Sequence, residues 1–299
     1  MSFKNNDLKG LQIEFKEALG RRFSASEIRL IWRESLRHFF GITPSDLMLS
    51  QDRIFSPDES TLLFKLVNQL NSGEPFQYLI GEVEFYSLPL KVDQRALIPR
   101  PETEELVDWI VNRNYIEVSN ILDICSGSGC ISLALSHHFQ KANVLGVEYS
   151  KEALELSWEN SMALKLPVNF IEGDVLEENS FNNLLKEQVN KNGAFDIVVS
   201  NPPYIPIQDK AKMESNVLDY EPELALFVPD EDPLLFYRKI SESIFPFLST
   251  NGTLYFECHY LYVEEVRELL VEMGYQHVEK RQDLQGKWRM LKAQKSFLS

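Results

Sequence analysis

Cysteine is scarce in this sequence. Only three of the 299 residues are cysteines, Cys125, Cys130 and Cys258. Three thiols cannot all pair with one another, and their spacing is not that of a structural zinc site, so the pattern argues against a disulfide scaffold and fits a reducing compartment. Cys258 is followed by His259, but two neighbouring ligands do not make a metal site, and we expect none.

The sequence also lacks long apolar runs and an excess of positive charge. No apolar run approaches the roughly 20 residues that span a bilayer, and the first residues show no signal-peptide core. Lys and Arg number 30 against 45 Asp and Glu, which gives a formal net charge of -15. Such a charge disfavours nucleic acid and anionic membranes as partners, although a local basic patch is compatible with it. We therefore expect a cytoplasmic, monomeric protein with no direct membrane or nucleic-acid contact.

Helical periodicity marks residues 1–73. Apolar residues recur at helical spacing in three stripes, namely Leu8, Leu11, Phe15 and Leu19, then Ile28, Ile31, Trp32 and Leu36, then Leu62, Leu63, Leu66, Val67 and Leu70. Ser26 precedes the second stripe and is predicted to be its N-cap. These stripes predict a small all-helical domain over residues 1–80. Residues 81–97 then alternate apolar and polar side chains around a Ser-Leu-Pro break, which predicts a β-hairpin linker.

From residue 120 the pattern alternates between strand and helix. Apolar strands are predicted at 121–124, 144–147, 168–171 and 195–199, and helices begin near 131 and 152. Continuous apolar strands separated by helices indicate a parallel sheet covered on both faces, and thus an α/β fold. Segments 253–256, 275–280 and 288–291, with a helix at 263–273, predict an antiparallel pair that closes the sheet of a domain over residues 98–299.

Acidic residues end three of these strands in succession. Asp123 precedes a turn with Gly127 and Gly129, which lets the backbone approach a ligand at a helix N-terminus. Alone, this turn could equally hold NAD or be only a tight turn. Glu148 could accept both hydroxyls of a ribose, and Asp174 could accept from an adenine amino group. Singly, each is also an ordinary strand-end or turn carboxylate. Together they favour a nucleoside-containing cofactor.

The sequence Asn201-Pro202-Pro203-Tyr204 follows the strand at 195–199. It could be a rigid turn, but the carboxyl ends of such strands are where these sheets bind ligands. An amide nitrogen is a poor nucleophile because its lone pair is delocalised. The Asn201 side-chain oxygen and the Pro202 carbonyl could accept its hydrogens and aim it, while Tyr204 stacks on the flat group. This pattern predicts methyl transfer to a planar nitrogen.

These two motifs, at residues 123–130 and 201–204, resemble the amino-methyltransferases that act on exocyclic or amide nitrogen. Residues 73–78, 81–86 and 98–106 are more specifically similar to the HemK/PrmC family of peptide chain release factor glutamine methyltransferases. The resemblance runs from about residue 73 to 225, and the block at 99–104 is its most specific part. It implies a class I, Rossmann-like S-adenosyl-L-methionine-dependent methyltransferase sheet with a helical N-terminal domain. The implied substrate is the glutamine of the Gly-Gly-Gln loop of class I release factors, methylated on its side-chain amide.

The resemblance also implies roles for individual residues. The cofactor would be lined by Asp123, Cys125, Ser126, Gly127, Ser128, Gly129, Glu148, Asp174 and Val175, with Arg100, Glu102 and Thr103 closing over its methionine end. Asn201 would touch both cofactor and substrate, and Pro202, Pro203 and Tyr204 would hold the glutamine. The sequence departs from the family at Cys125, where glycine is usual, and at Val175. It also lacks family glycines at residues 227–233 and 257–260, so the loop shapes there are expected to differ.

Two alternatives remain open at this point. A DNA adenine N-methyltransferase shares the Asn-Pro-Pro-Tyr motif and flips its base out of the duplex. The acidic charge and the lack of a basic, aromatic-interleaved segment oppose it. A non-catalytic module that binds release factors is the second alternative, and the intact Asn201 and cofactor carboxylates oppose that.

Overall fold

The structure is a computed structural model that describes residues 3–49, 52–113 and 117–295. The chain divides into two compact units. The first comprises Met1–Gly81 with Glu214–Tyr220, and the second comprises Glu82–Met213 with Glu221–Ser299.

The first unit is helical. Its N-terminal helices are α1 (Leu8–Leu19), α2 (Ala25–Phe40), α3 (Pro44–Leu49), α4 (Pro57–Ser72) and α5 (Phe76–Ile80). The apolar stripes predicted from the sequence form its core, where Leu11, Phe15 and Leu36 are fully buried. Leu62 is the exception, because 38% of it remains exposed. The unit thus has a hydrophobic core of its own.

The N-cap of α2 corrects one prediction. Ser24, rather than Ser26, caps the helix, because its hydroxyl accepts from the backbone N–H of Glu27 while the Glu27 carboxylate accepts from the N–H of Ser24. This reciprocal capping box satisfies two amides that the first helical turn leaves without partners. Ser56 and Glu59 form the same arrangement at the start of α4. Ser26 therefore lies inside α2.

The second unit begins with a β-hairpin of β1 (Glu82–Phe85) and β2 (Leu88–Lys91). Tyr86 and Ser87 form its two-residue turn with positive φ values of 48° and 64°. Such turns match the twist of the two strands but normally use Asn or Gly. The Glu104 carboxylate accepts from the N–H of Tyr86 at 2.7 Å and supports the turn from outside.

The remaining elements follow in chain order. They are α6 (Pro101–Val111), β3 (Asn120–Ile124), α7 (Cys130–His138), β4 (Asn143–Glu148), α8 (Lys151–Leu164), β5 (Val168–Glu172), α9 (Glu178–Asn192), β6 (Phe195–Ser200), β7 (Ile205–Pro206), α10 (Ser215–Tyr220, in the first unit), β8 (Phe227–Val228), α11 (Leu235–Ile244), β9 (Leu248–Glu257), α12 (Val263–Glu272), β10 (Gln276–Gln282) and β11 (Trp288–Gln294). Short 3-10 turns occur at Ile207–Lys212, Glu223–Ala225 and Phe245–Phe247.

The described residues form a seven-stranded sheet in the order β10-β11-β9-β6-β3-β4-β5. Strands β3, β4, β5, β6 and β9 run parallel, and β11 and β10 close the sheet as antiparallel strands. Apolar clusters cover both faces, which explains why β3 is buried at every position. The predicted α/β fold is confirmed. The strand order reverses between β3 and β6, and in such sheets ligands bind at this point.

Candidate active site

A cavity of about 310 Å³ lies at the carboxyl ends of β3, β4, β5 and β6. Its volume falls within the range of small-molecule sites. Most of the residues predicted for the site line it, namely Arg100, Thr103, Cys125, Ser126, Gly127, Ser128, Glu148, Asp174, Val175, Asn201 and Pro203. Glu102, Asp123, Gly129, Pro202 and Tyr204 are not among the lining residues. The structure therefore brings the separate motifs of the sequence together around one cavity.

The turn after β3 forms one wall of this cavity. Cys125 has a left-handed conformation with φ of 62°, where the resemblance leads one to expect glycine. A side chain costs about 1 kcal/mol there, and the turn keeps the left-handed geometry nonetheless. Gly129 also has a positive φ, of 81°, and a Cβ atom on it would lie 2.7 Å from the Phe170 ring. Only glycine lets the turn pack this closely onto β5.

Asp123 lies in β3, one residue before the strand ends, and is fully buried. Its Oδ2 accepts from the N–H and the hydroxyl of Ser132 at 3.0 and 2.7 Å, whereas no described residue donates to Oδ1. Burial, and to a lesser extent the charge of Glu148, raises the pKa of Asp123 to about 7, against the two Ser132 hydrogen bonds. The buried Oδ1 is an unfilled acceptor that suits a donating, cationic group.

Glu148 ends β4 and faces the cavity. Its Oε2 accepts from the N–H of Gly127 and its Oε1 from the N–H of Ser150, both at 2.8 Å. Burial raises the pKa of Glu148, and these backbone hydrogen bonds oppose that rise. Each oxygen retains lone pairs for a ligand. The carboxylate thus anchors the glycine turn and can still accept hydroxyl groups.

Asp174 and Val175 follow β5 and line the cavity. One oxygen of Asp174 accepts from the N–H of Leu176 at 2.8 Å, and Val175 is almost fully buried. Asp174 therefore has a second oxygen available to a hydrogen-bond donor, beside an apolar wall.

A polar network joins the Asn-Pro-Pro-Tyr segment to the end of β9. Asn201 Nδ2 donates to Thr103 Oγ1 at 3.2 Å, and Thr103 donates to Glu257 Oε2 at 2.7 Å. The Tyr204 hydroxyl donates to the other oxygen of Glu257 at 3.2 Å. Burial raises the pKa of Glu257 despite these hydrogen bonds and the charge of Arg289. Sequence reasoning did not include Glu257 in the site, although it ends a parallel strand just as Glu148 does.

Glu221 is a second site residue that the sequence analysis missed. It is buried, accepts from Arg100 Nη2 at 2.6 Å, and accepts from the N–H of Ile98 at 3.2 Å. The cavity wall made by Arg100 and its neighbours is therefore tied to the segment after α10. Its sequence signal was the Glu-Pro-Glu that follows Tyr220.

The segment after Tyr204 is held by a short parallel pair. Strands β7 and β8 pair Ile205 with Phe227, and the Asp230 carboxylate accepts from the N–H of Gln208 at 2.8 Å. Residues 227–233, where the resemblance leads one to expect glycines, thus support the end of the Asn-Pro-Pro-Tyr segment.

The hydrogen-bond acceptors around the cavity fit S-adenosyl-L-methionine. Glu148 and Asp174 of the cavity lining supply carboxylate oxygens to hydroxyl and amino donors. Asp123, which precedes the lining residue Ile124, keeps one oxygen without a donor among the described residues. The charge of these groups suits a cationic sulfonium ligand. Among the described residues, no group of three or more His, Cys, Asp or Glu could hold a metal ion. Within the part of the chain that the structure describes, no helix is both long enough and apolar enough to span a membrane.

Two known families match this chain. Residues 12–81 match the PrmC N-terminal domain, and residues 103–219 match the Methyltransferase small domain. The first match falls on the helical unit, and the second on the part of the chain that contributes the cavity residues from Thr103 to Asn201.

Individual proteins are similar over nearly the whole chain. The release factor glutamine methyltransferase of Flavobacterium psychrophilum is 38% identical over 95% of this chain and 98% of its own. That of Bacteroides thetaiotaomicron is 39% identical over 85% of this chain and 87% of its own. Among solved structures, the hMettl16 catalytic domain in complex with MAT2A 3′UTR hairpin 6 matches with a TM-score of 0.52 at 14% identity, over 84% of this chain and 86% of that one. This last likeness concerns the fold alone.

Proposed function

Because this chain belongs to the release factor glutamine methyltransferase family, we propose that it methylates the glutamine of the Gly-Gly-Gln loop in class I release factors, on the side-chain amide nitrogen. The expectation of an S-adenosyl-L-methionine-dependent methyltransferase is confirmed. One observation carries the assignment of the substrate side. Asn201 lines the cavity with its Nδ2 committed to Thr103, so that Oδ1 is the atom left to accept from an amide nitrogen.

The chemistry follows from the weak nucleophilicity of an amide. S-Adenosyl-L-methionine, when bound, supplies an electrophilic methyl group on a sulfonium. Asn201 Oδ1 and the Pro202 carbonyl accept the two amide hydrogens, which orients the nitrogen and returns electron density to it. Proline restricts the backbone on both sides of the Asn201–Pro202 bond, so these acceptors are positioned in advance. The nitrogen releases one proton after transfer, and no strong base is needed beforehand. The protein therefore acts by positioning and by fixed dipoles.

We assign the cofactor contacts as follows. The turn at residues 125–129 holds the methionine portion with Asp123 below it, Glu148 accepts from the ribose hydroxyls, and Asp174 with Val175 receives the adenine. Residues 100–103 close over the methionine end. The position of these residues around one cavity supports the assignment. Asp123 and Gly129 are not among the lining residues, so we assign them support of the turn and of the cofactor's amino group.

Tyr204 is assigned to the glutamine side chain, together with Pro203. Its hydroxyl is held by Glu257, and its ring centroid lies 5.9 Å from that of His259. A ring fixed at its hydroxyl end can stack on a planar amide without losing further side-chain freedom on binding.

Mass spectrometry of a release factor, incubated with enzyme and S-adenosyl-L-methionine, tests the proposal. The expected product carries one methyl group on the Gly-Gly-Gln glutamine. Asn201→Ala is expected to lower kcat by roughly 10²-fold or more, by analogy with a lost oxyanion-hole donor. Asn169→Ala, at an exposed position of β5, is the matched control and should leave kcat unchanged. Asn201→Ala activity within a few-fold of the parent would remove the assigned role.

Parallel measurements with an oligonucleotide as substrate and of cofactor affinity separate the alternatives. Methylated adenine in an oligonucleotide, with no product on release factors, would favour the DNA methyltransferase. Binding of a release factor without affinity for S-adenosyl-L-methionine would favour the non-catalytic module. Since release factors act in translation, we propose that the enzyme works in the cytoplasm, as a monomer.

We further propose that the helices of residues 1–80 contribute to docking the release factor. A glutamine side chain offers few contacts, and selecting one loop of one protein needs an interface on the order of 1,200 Å² or more. The separate core of the helical unit supports a module with its own role. Deleting residues 1–81 should preserve cofactor binding and strongly reduce methylation of the whole release factor, yet hardly change the poor methylation of a short Gly-Gly-Gln peptide. Equal losses on protein and peptide, or a truncated chain that does not fold, would favour a merely stabilising role.

A further inference from the structure

Three side chains from distant parts of the sequence form one hydrogen-bonded chain that ends at Asn201. Glu257 ends β9, Thr103 lies in the first turn of α6, and Asn201 follows β6. Glu257 is 1% exposed and Thr103 is 3% exposed. The hydrogen bond from Thr103 to Glu257 therefore lies where water does not compete with it, and the one from Asn201 to Thr103 is partly buried at the cavity wall.

The donor and acceptor capacity of each group fixes the direction of these hydrogen bonds. An ionised carboxylate only accepts hydrogen bonds, whereas a threonine hydroxyl has one hydrogen to donate. Glu257 Oε2 takes that hydrogen, so Thr103 can only accept from Asn201. The Asn201 amide must therefore present Nδ2 to Thr103 and Oδ1 to its other side. If the amide were rotated by half a turn, two acceptors would face each other at Thr103.

We propose that Glu257 and Thr103 are positioning residues, which hold the Asn201 amide so that its oxygen faces the nitrogen to be methylated. This inference rests on the role proposed above for Asn201. The opposite orientation would offer that nitrogen an NH₂ group, which cannot accept its hydrogens. A charge two side chains away from the substrate thus selects the productive orientation.

The same carboxylate also fixes Tyr204. Because Glu257 Oε1 accepts from the Tyr204 hydroxyl, one buried group orients both ends of the Asn-Pro-Pro-Tyr motif. Several elements pack against Glu257. Their polar groups that face it are Glu102 and Thr103 of α6, Tyr204, the Tyr237 hydroxyl of α11, which donates to its backbone carbonyl, and Arg289 of β11. Arg289 is the only cation among these described groups, and it favours the ionised form.

Thr103→Val tests the series of hydrogen bonds from Glu257 to Asn201 directly, because it nearly preserves the side-chain volume and removes the hydroxyl. We expect kcat, measured at saturating cofactor and release factor, to fall about 5- to 10-fold, the worth of one net hydrogen bond. Valine keeps the volume with which Thr103 closes over the methionine end of the cofactor and loses only the hydroxyl, so the cofactor Kd should change less than kcat. Thr103→Ser keeps the hydroxyl and should keep kcat within about twofold. Thr253→Val is the matched control, since Thr253 is equally buried on β9 but lies outside the cavity lining.

Glu257→Gln provides the second readout, and it does not depend on how Thr103→Val folds. A glutamine amide can donate to Thr103 and so permits the reversed chain, which should lower kcat about 10-fold. In the parent, kcat at saturating cofactor should fall on the acid side as Glu257 takes up a proton, because a protonated carboxyl can also donate to Thr103. Burial places this fall above the ordinary glutamate pKa. This fall should be absent in Glu257→Gln. Any pH dependence of kcat that Asp123 and Glu148 cause should remain in both proteins.

The outcomes separate this inference from the proposed function. Absence of release-factor methylation by the parent would overturn the proposed function itself. A parent that methylates, with Thr103→Val or Glu257→Gln matching its kcat and pH profile, would overturn the positioning chain alone. Loss of cofactor binding in Thr103→Val with kcat preserved would overturn the positioning chain and assign the Thr103 hydroxyl to the cofactor rather than to Asn201.

Discussion

Replacing Glu148 by alanine should damage cofactor binding far more than catalysis. The carboxylate accepts two backbone N–H groups in the structure and would accept two ribose hydroxyls in the complex. A hydrogen bond to a charged group contributes about 1.5–3 kcal/mol, so losing both ribose contacts costs roughly 3–6 kcal/mol. Relief of the buried charge offsets part of this. The expected rise in cofactor Kd is therefore about 10²-fold or more.

Isothermal titration with S-adenosyl-L-methionine measures this Kd, and single-turnover methylation at saturating cofactor measures the chemical step. The ribose hydroxyls take no part in transfer, so the chemical step should change less than about threefold. Glu172→Ala is the matched control, because Glu172 also ends a strand, β5, but its side chain is exposed and lies outside the cavity lining. A Kd for Glu148→Ala equal to that of the control would refute the ribose assignment. A slowed chemical step with unchanged Kd would refute it as well.

Two further predictions concern stability. Gly146→Ala should destabilise the protein by about 2 kcal/mol, because the new Cβ would lie 2.4 Å from the Phe170 ring. In urea unfolding, adding Phe170→Leu should recover part of the lost free energy of unfolding. Strictly additive effects of the two substitutions would contradict the clash. The folded-state pKa of Asp123 is about 7, above the ordinary value of 3.8. Asp123 therefore contributes stability that is present below pH 3.8 and is lost as the pH rises to about 7. The free energy of unfolding lost over this range is at most about 4 kcal/mol. Asp123→Asn should therefore lose less stability than the cofactor-free parent between pH 4 and 7.5, and identical pH curves would refute the buried-acid argument.

The parts of the fold that were predictable are those whose signal is local. Strand β3 is buried on both faces, so its sequence is a continuous apolar run, and the acids that end β4 and β5 follow such runs directly. Helix α9 was missed because only Phe181 and Leu185 of its 15 residues are buried, which leaves too few apolar positions for a periodic stripe. The N-cap at Ser24 was available from the sequence, since Glu27 stands three residues later as a capping box requires.

The parts of the site that were missed depend on long-range pairs. Thr103 and Glu257 are 154 residues apart, and Arg100 and Glu221 are 121 apart. The local sequence around a buried glutamate does not indicate which side chain donates to it, because that partner depends on how the sheet and its helices pack. Thr103 was accordingly expected to close over the cofactor, whereas its contact with Asn201 emerged only from the structure.

The position of β11 bears on how this protein is made. It is the last strand along the described chain, yet it lies inside the sheet between β9 and β10. During synthesis the outer edge of β9 stays open until residues 288–294 have left the ribosome. The ten residues of β9 end in a run of six buried positions, and an unpaired edge of this kind is a template for pairing with another chain. A nascent chain that stalls before Trp288 therefore exposes an aggregation-prone edge, and synthesis of β11 covers that edge.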